Sequence, residues 1–255
     1  MKMNKSAFNL KLIALILFLT SFVGCKKEEE AVLLETGTVT DIDNNIYKTI
    51  KIGNQWWMAE DLNTTRYRNG VVISTISGTD NSAWSNDTSG ARVPNENTSN
   101  GAGSLYNWFA IHNSNKLSPE GWHIPTDQDW KILENFLGMS VDQSDKTGWR
   151  GSNEGDKLKI TGEDNWQTYG SVWATNERGF SARATGCRLY DGSWSTPIGT
   201  VYMGFWWTDS EKDLNEGWYR YLDYKRSQIF RSHVLKTYGL SVRCVKVDRL
   251  LNSFC

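Results

Sequence analysis

The sequence predicts an α+β fold with small, irregular antiparallel sheets, one main helix and long loops. Three observations carry that reading. Short stretches alternate apolar and polar residues and are punctuated by Gly, Asn and Asp turns. One stretch has a full helical signature, with both a start and a stop. No repeat of about 20–50 residues runs along the chain, which excludes solenoids and propellers.

The elements follow in order. Thr38 to Ile42 alternates, Asp43-Asn44-Asn45 turns the chain, and Ile46 to Ile52 alternates again. Gly53-Asn54 then leads into a third strand, Gln55-Trp56-Trp57-Met58-Ala59. Ser74 to Ser104 reads as a long surface loop, because 20 of its 31 residues are Ser, Thr, Asn or Gly and can bury little apolar area. Thr126 is the N-cap of the helix, and Asp129 completes a capping box with the shorter acid. Trp130, Leu133, Phe136 and Leu137 then share a face, and Gly138 stops the helix. The later strand candidates are Phe180 to Leu189, Val201 to Thr208, Trp218 to Asp223, Gln228 to His233 and Gly239 to Val247. Alternation within a strand predicts one inward and one outward ring for each of the pairs Trp56-Trp57 and Trp206-Trp207.

Composition narrows the function. The 255 residues carry 28 Lys+Arg against 29 Asp+Glu, so nothing basic enough to hold nucleic acid is present. At 39% apolar residues the chain can bury a core, which excludes a disordered tail. Thirteen Trp is a high number for this length, and the three His are few.

The first segment is an address. Lys2, Lys5 and Lys11 precede the apolar run Leu12 to Leu19, which is shorter than the roughly 20 residues of a membrane span. Val23-Gly24-Cys25 resembles a lipobox, with Phe22 where Leu is usual. Residues 1–24 are therefore expected to be a lipoprotein signal peptide, with an ordinary cleaved signal as the alternative. Acylated Cys25 would be the anchor to a lipid membrane, and residues 25–35 a charged tether. Lys26-Lys27-Glu28-Glu29-Glu30 resembles the signal that exports lipoproteins to the surface of Bacteroidetes-type bacteria. The expected location is the outer membrane, facing the exterior. The domain proper is placed at 36–248, with 249–255 as a C-terminal tail.

Asp41 to Leu62 resembles the opening of the Fibrobacter succinogenes major paralogous domain. Further matches follow in the same order. They are Leu105-Tyr106-Asn107-Trp108, Pro119 to Thr126, Ala174-Thr175-Asn176-Glu177, Gly179-Phe180-Ser181-Ala182, Phe205-Trp206-Trp207-Thr208 and Gly239 to Val245. The resemblance implies a secreted or surface lipoprotein with a C-type lectin-like fold. Gly121 to Thr126, Asp191-Gly192-Ser193-Trp194 and Gly239 to Val245 are also distantly similar to the formylglycine-generating-enzyme version of that fold. In the family a Cys commonly precedes the Pro-Glu-Gly-Trp motif and suits a bridge to the Cys matching Cys244. Here that position is Ser118, and Cys187 stands where Gly is usual. A Cys187–Cys244 disulfide would take over the stapling role, with two buried free thiols as the alternative. Cys255 is terminal and expected to be free.

No catalytic constellation emerges. Cys-x-x-Cys, a Gly-x-Ser-x-Gly elbow, a phosphate loop and a dinucleotide fingerprint are all missing. His112, His123 and His233 are not spaced as ligands, and His123 reads as a helix-entry residue. The expectation is no enzyme and no cofactor. Asp209, Glu211 and Asp213 are a weak Ca²⁺ candidate, and a solvated acidic turn is the favoured reading. The Trp content suggests carbohydrate, because flat rings stack on the apolar faces of sugars. Residues in loops between the family motifs are the ligand candidates, Trp149, Trp166, Tyr190 with Asp191, and Trp194, with packing under a long loop as the favoured alternative role for them. The favoured function is therefore non-catalytic recognition of a polysaccharide or glycan at the cell surface. The alternatives are a structural or adhesive lipoprotein that binds other proteins and, less favoured, an inactive relative of the formylglycine-generating type.

Overall fold

The computed structural model describes residues 33–95, 102–197 and 200–247. The expected signal peptide, Cys25, residues 26–32 of the tether, and the tail with Cys255 lie outside the described residues. The architecture is mixed, with small, largely antiparallel sheets and short helices.

The opening hairpin and third strand form as the alternation predicts. They are β1 (Thr36–Thr40), β2 (Ile46–Ile52) and β3 (Gln55–Met58). Asp41 organises the first turn. It accepts bonds from the Asp43 and Asn45 amides at 2.9 Å and from the Tyr47 hydroxyl at 2.6 Å. The fourth strand of this sheet comes from the far end of the fold. It is β11 (Val245–Val247), which pairs with β3 so that Val245 lies opposite Trp57.

A second four-stranded sheet has the order β7 (Gly148–Arg150), β10 (Ile229–Leu235), β9 (Glu216–Asp223), β8 (Met203–Glu211). Trp206 and Trp207 on β8 are both fully buried, which corrects the expectation of one ring in and one out. The sheet is covered on both sides here. Trp206 faces the cluster of Trp57, Trp130 and Phe180, and Trp207 meets the Trp108 ring edge-on at 5.4 Å. Gly217 on β9 is required, because a Cβ there would lie 2.3 Å from the Trp108 ring.

The Ser74–Ser104 segment is not a bare loop. It contains β4 (Ser74–Thr75), helix α1 (Asn81–Asn86) and β5 (Ala91–Val93), and β5 pairs with β6 (Leu105–Tyr106). Its few apolar residues meet. Ile76, Trp84, Ala91 and Val93 form a third small cluster with Leu105, and Trp84 Nε1 donates to the Thr237 carbonyl at 2.7 Å. Two strand candidates shrink for the opposite reason. Residues 180–189 form no continuous strand, and 239–247 keeps only β11. These segments share their backbone bonds among several partners, as in the single bridges Gly186–Gly204, Arg188–Gly239 and Trp206–Ser241.

Four further helices are α2 (Trp108–Ile111), α3 (Asp127–Phe136), α4 (Val141–Ser144) and α5 (Glu154–Leu158). α3 is the expected main helix. Both arms of its capping box form, and Gly138 beyond it has φ +116°. Trp130, Leu133 and Leu137 are buried as predicted, but Phe136 is 50% exposed at the edge of the apolar face. Its ring lies against Gly53 and 5.7 Å from the Arg178 guanidinium. The buried place beside Trp130 and Leu133 goes to a charge, Glu134.

Asp127, Lys131 and Glu134 sit at i, i+4 and i+7, one stripe of α3. Glu134 is fully buried. It accepts from both Arg150 Nη atoms at 2.6 and 2.7 Å and from Arg220 Nε at 2.6 Å. Arg220 continues to Asp127 at 2.8 Å, and Arg231 binds both Asp127 oxygens at 2.8 Å. Burial alone would raise the Asp127 carboxyl. The guanidinium groups of Arg231 and Arg220 outweigh it and hold the carboxyl well below the usual carboxylate range. Helix α3 is thereby clamped to β7, β9 and β10. Glu134→Ala is expected to cost roughly 3–5 kcal/mol in urea denaturation, because it takes the carboxylate from the buried Arg150 and leaves Arg220 with Asp127 alone. Glu177→Ala, which removes a half-exposed partner of Lys157, should stay within about 1 kcal/mol.

The expected Cys187–Cys244 bridge is not formed, and both cysteines are buried free thiols. They belong to one core cluster but have different surroundings. Cys187 backs onto Ser195, whose hydroxyl accepts from the Cys187 amide, and Cys244 lies behind Met58, whose sulfur accepts from the Cys244 amide. Burial pushes the Cys187 thiol up to about 12 and raises Cys244 as well. Peptide mapping without reductant is expected to find neither thiol alkylated in the folded chain and both alkylated after denaturation. A linked Cys187–Cys244 peptide would show that the bridge forms.

Candidate functional site

The segment between α5 and residue 182 builds a cavity lined by aromatic rings. Its ends are fixed by backbone bonds: Ile160 N–H donates to Ala182 O at 3.0 Å, and Ala182 N–H to Leu158 O at 2.8 Å. Gln167 N–H donates to Val201 O at 3.0 Å, and Thr175 N–H to Asp156 O at 2.9 Å, so the middle is tied as well. Between these ties the chain turns at Tyr169–Val172, where Gly170 has φ +54°. Open turns of this kind present side chains to solvent.

The result is a groove of about 160 Å³ lined by Trp166, Trp173 and Tyr224, with Glu163, Gln167 and Thr168 supplying polar groups. Trp166 is the floor. It is 4% exposed, its Nε1 donates to Ala182 O at 2.8 Å, and the Lys159 ammonium lies 5.3 Å from its ring. Burial lowers Lys159, which still donates to Asp156 at 3.1 Å and to Arg226 O at 2.6 Å. Trp173 is the opposite case, with 64% of its surface exposed. Tyr224 stacks on Tyr202 at 5.0 Å and meets Tyr169 edge-on at 5.8 Å. The Lys225 ammonium sits 5.1 Å from the Tyr224 ring and 5.3 Å from the Tyr169 ring. Exposed indole and phenol faces beside amide, hydroxyl and carboxylate groups can stack on an apolar face and hydrogen-bond a polar edge.

The five candidates from the sequence do not converge. Trp166 alone lines the groove. Trp149 belongs to an aromatic row across the second sheet, where the register sets Trp149, Phe230, Tyr221 and Phe205 opposite one another. Their centroids are 5.1, 5.8 and 4.6 Å apart in that order, so these rings pack on each other. Tyr190 is half exposed, 6.0 Å from the Tyr238 ring, and Asp191 accepts from Ser193 in a local turn. Trp194 packs on the third cluster, with its Nε1 donating to Gly78 O at 3.1 Å. Trp173, Tyr169 and Tyr224 were missed. The available signal was the spacing of Trp166 and Trp173 around Tyr169-Gly170, two rings flanking one turn.

Asp209, Glu211 and Asp213 do not share a site. Asp209 accepts from His112 Nδ1 at 2.6 Å, Glu211 from Lys236 at 2.5 Å, and Asp213 from the Asn215 and Glu216 amides. Among the described residues no group of three or more His, Cys, Asp or Glu is placed to hold a metal. His123 Nε2 lies 3.1 Å from Asp129, inside the capping box of α3.

The two roles of tryptophan in the groove are separable. Trp166→Ala should lower stability by roughly 3–5 kcal/mol in chemical denaturation, as removal of a buried indole does. Trp173→Ala should stay within about 0.5 kcal/mol, as at an ordinary surface position. A larger loss at Trp173 would mean that it is packed rather than presented.

No curated protein and no solved structure matches the chain. The family model of the Fibrobacter succinogenes major domain matches residues 50–246, from within β2 to within β11, and so takes in β3, the whole second sheet, α3 and the groove, while β1 precedes it. The chain belongs to the Fibrobacter succinogenes major domain family.

Proposed function

We propose that this chain is a non-catalytic recognition protein of the cell surface, held by acylated Cys25 in the outer membrane, with a polysaccharide or glycan as its ligand. The observation that carries the reading is the groove in which Trp166 forms the floor, Tyr224 a wall and the exposed Trp173 a free ring, while Gln167, Thr168 and Glu163 offer hydrogen bonds. Sugars combine apolar C–H faces with polar edges, and a groove of this composition meets both. The lectin-like version of the α+β architecture is part of the proposal. Pairing between β3 and β11, from near the two ends of the described chain, and long loops over small sheets support it. The surface location rests on Val23-Gly24-Cys25 and the Lys-then-acidic run after it.

Thermal melting of the full chain against a panel of soluble polysaccharides tests the reading. A specific ligand at 100-fold its Kd should stabilise the fold by roughly 2.7 kcal/mol and raise Tm by several degrees. Trp173→Ala should remove that shift while leaving the unliganded Tm in place. No shift with any polysaccharide at millimolar sugar would move the reading to a protein-binding surface module.

A further inference from the structure

A second cavity lies away from the groove, between α2 and the hairpin end of β8 and β9. Ser89, Trp108, Phe109, His112, Asn113 and Glu211 face it, and Lys236 closes it. Three features give it a defined chemistry. The first is an ion pair at its base. The Lys236 ammonium, on a residue 8% exposed, donates to Glu211 Oε1 at 2.5 Å and to the Leu214 carbonyl at 2.9 Å. These acceptors use two of the three N–H groups of the ammonium, which also lies 5.8 Å from the Trp108 ring on the cavity wall. Glu211 is half exposed on its side chain and keeps acceptor sites of its own.

The second feature is an oriented imidazole. His112 stacks on Trp108 at 5.7 Å and 19°, and its Nδ1 contacts Asp209 Oδ1 at 2.6 Å. A carboxylate only accepts, so Nδ1 carries the proton, and Nε2 is the ring nitrogen that Asp209 leaves unused. The third is the wall. Phe109 is partly exposed and apolar, and Ser89 and Asn113 add a hydroxyl and an amide.

We propose that this cavity is a second binding site, one that takes the vicinal diol of a neutral sugar residue. One hydroxyl donates to Glu211, and its neighbour accepts from Lys236. The ion pair presents an acceptor and a donor side by side, which suits two adjacent hydroxyls, each of them both donor and acceptor. Two carboxylates, Glu211 and Asp209, against the one ammonium of Lys236 disfavour an added anion, so the site takes a neutral sugar in preference to an acidic one. The cavity shares no residue with the groove, and either site can fail alone.

The test is NMR of the histidine Cε1–H signals, of which the chain has three. His112→Gln assigns the signal of interest. The probes are the methyl glycosides of mannose, galactose, N-acetylglucosamine and glucuronic acid. At least one neutral glycoside should shift the His112 signal saturably, with those of His123 and His233 unmoved. Glu211→Gln should weaken that response roughly tenfold, the effect of losing a charged hydrogen-bond partner. Its Tm should stay near wild type, because the side chain is half exposed. The assignment is overturned if no neutral glycoside moves His112 by roughly 50 mM, where a millimolar site would be nearly full. It is overturned equally if only the glucuronide does, or if Glu211→Gln binds as well as wild type. The same titrations of Trp173→Ala separate this site from the groove, since a His112 response must survive that substitution.

Discussion

Glu134 carries a full charge into the centre of the molecule, and the second sheet is arranged around it. The carboxylate is wholly buried, and three hydrogen bonds from Arg150 and Arg220 surround it. Those arginines come from β7 and β9, and Asp127 two turns earlier adds Arg231 from β10. Taking so many charges out of water is costly, so the arrangement holds only when every partner is in place. That constraint fixes the rotation of α3 on the sheet. Trp130, Leu133 and Leu137 are turned into the core, and Phe136 is left at the edge. Asp61 with Arg243 repeats the device elsewhere. Arg243 also donates to the Phe180 and Ser181 carbonyls, and Trp206 Nε1 donates to Asp61.

A fold held by buried ions is only partly legible from apolar patterns. The hairpin β1–β2, the strand after it and the capped helix were readable, because alternation, turn residues and a capping box are local signals. The helix face was read with one error, and the cause is Glu134. A glutamate among Trp130, Leu133 and Leu137 reads as solvent-facing until its arginines are known, and those lie 16 and 86 residues away. The same distance hid the packing of Trp84, whose ring lies under Arg188. Composition alone suggested an empty loop there, although four apolar residues spread over eighteen positions suffice for a small cluster. Trp206 and Trp207 misled for another reason. Alternation assumes one wet face, and at Trp207 that face is covered by the Trp108 ring.

The disulfide expectation failed on a related point. Cys187 and Cys244 do share a cluster, as a staple would require. Sharing a cluster is weaker than pointing at one another. Each thiol is backed by its own neighbours, Ser195 for one and Met58 for the other. Arg243, next to Cys244, donates to Asp61 and to the Phe180 and Ser181 carbonyls, and so ties the end of the fold to the segment that leads to Cys187.

The placement of the groove follows from where aromatic faces remain free. The row Trp149, Phe230, Tyr221 and Phe205 has more rings, but they face each other, and Phe205 and Tyr221 lie 5° from parallel at 4.6 Å. The Arg226 guanidinium lies 5.7 Å from the Trp149 ring. Rings whose faces are occupied stabilise the sheet and have little left for a ligand. The loop after α5 differs because it is tied at residues 160, 167 and 175 yet leaves Trp173 outside the core. A ring held by a fixed backbone and not yet packed loses little freedom when a flat partner arrives. Sequence position alone ranks Trp166 and Trp173 as equals, and burial divides them into a floor and a contact. The family's other buried tryptophans, Trp57, Trp108, Trp206 and Trp207, serve the core that makes this division possible.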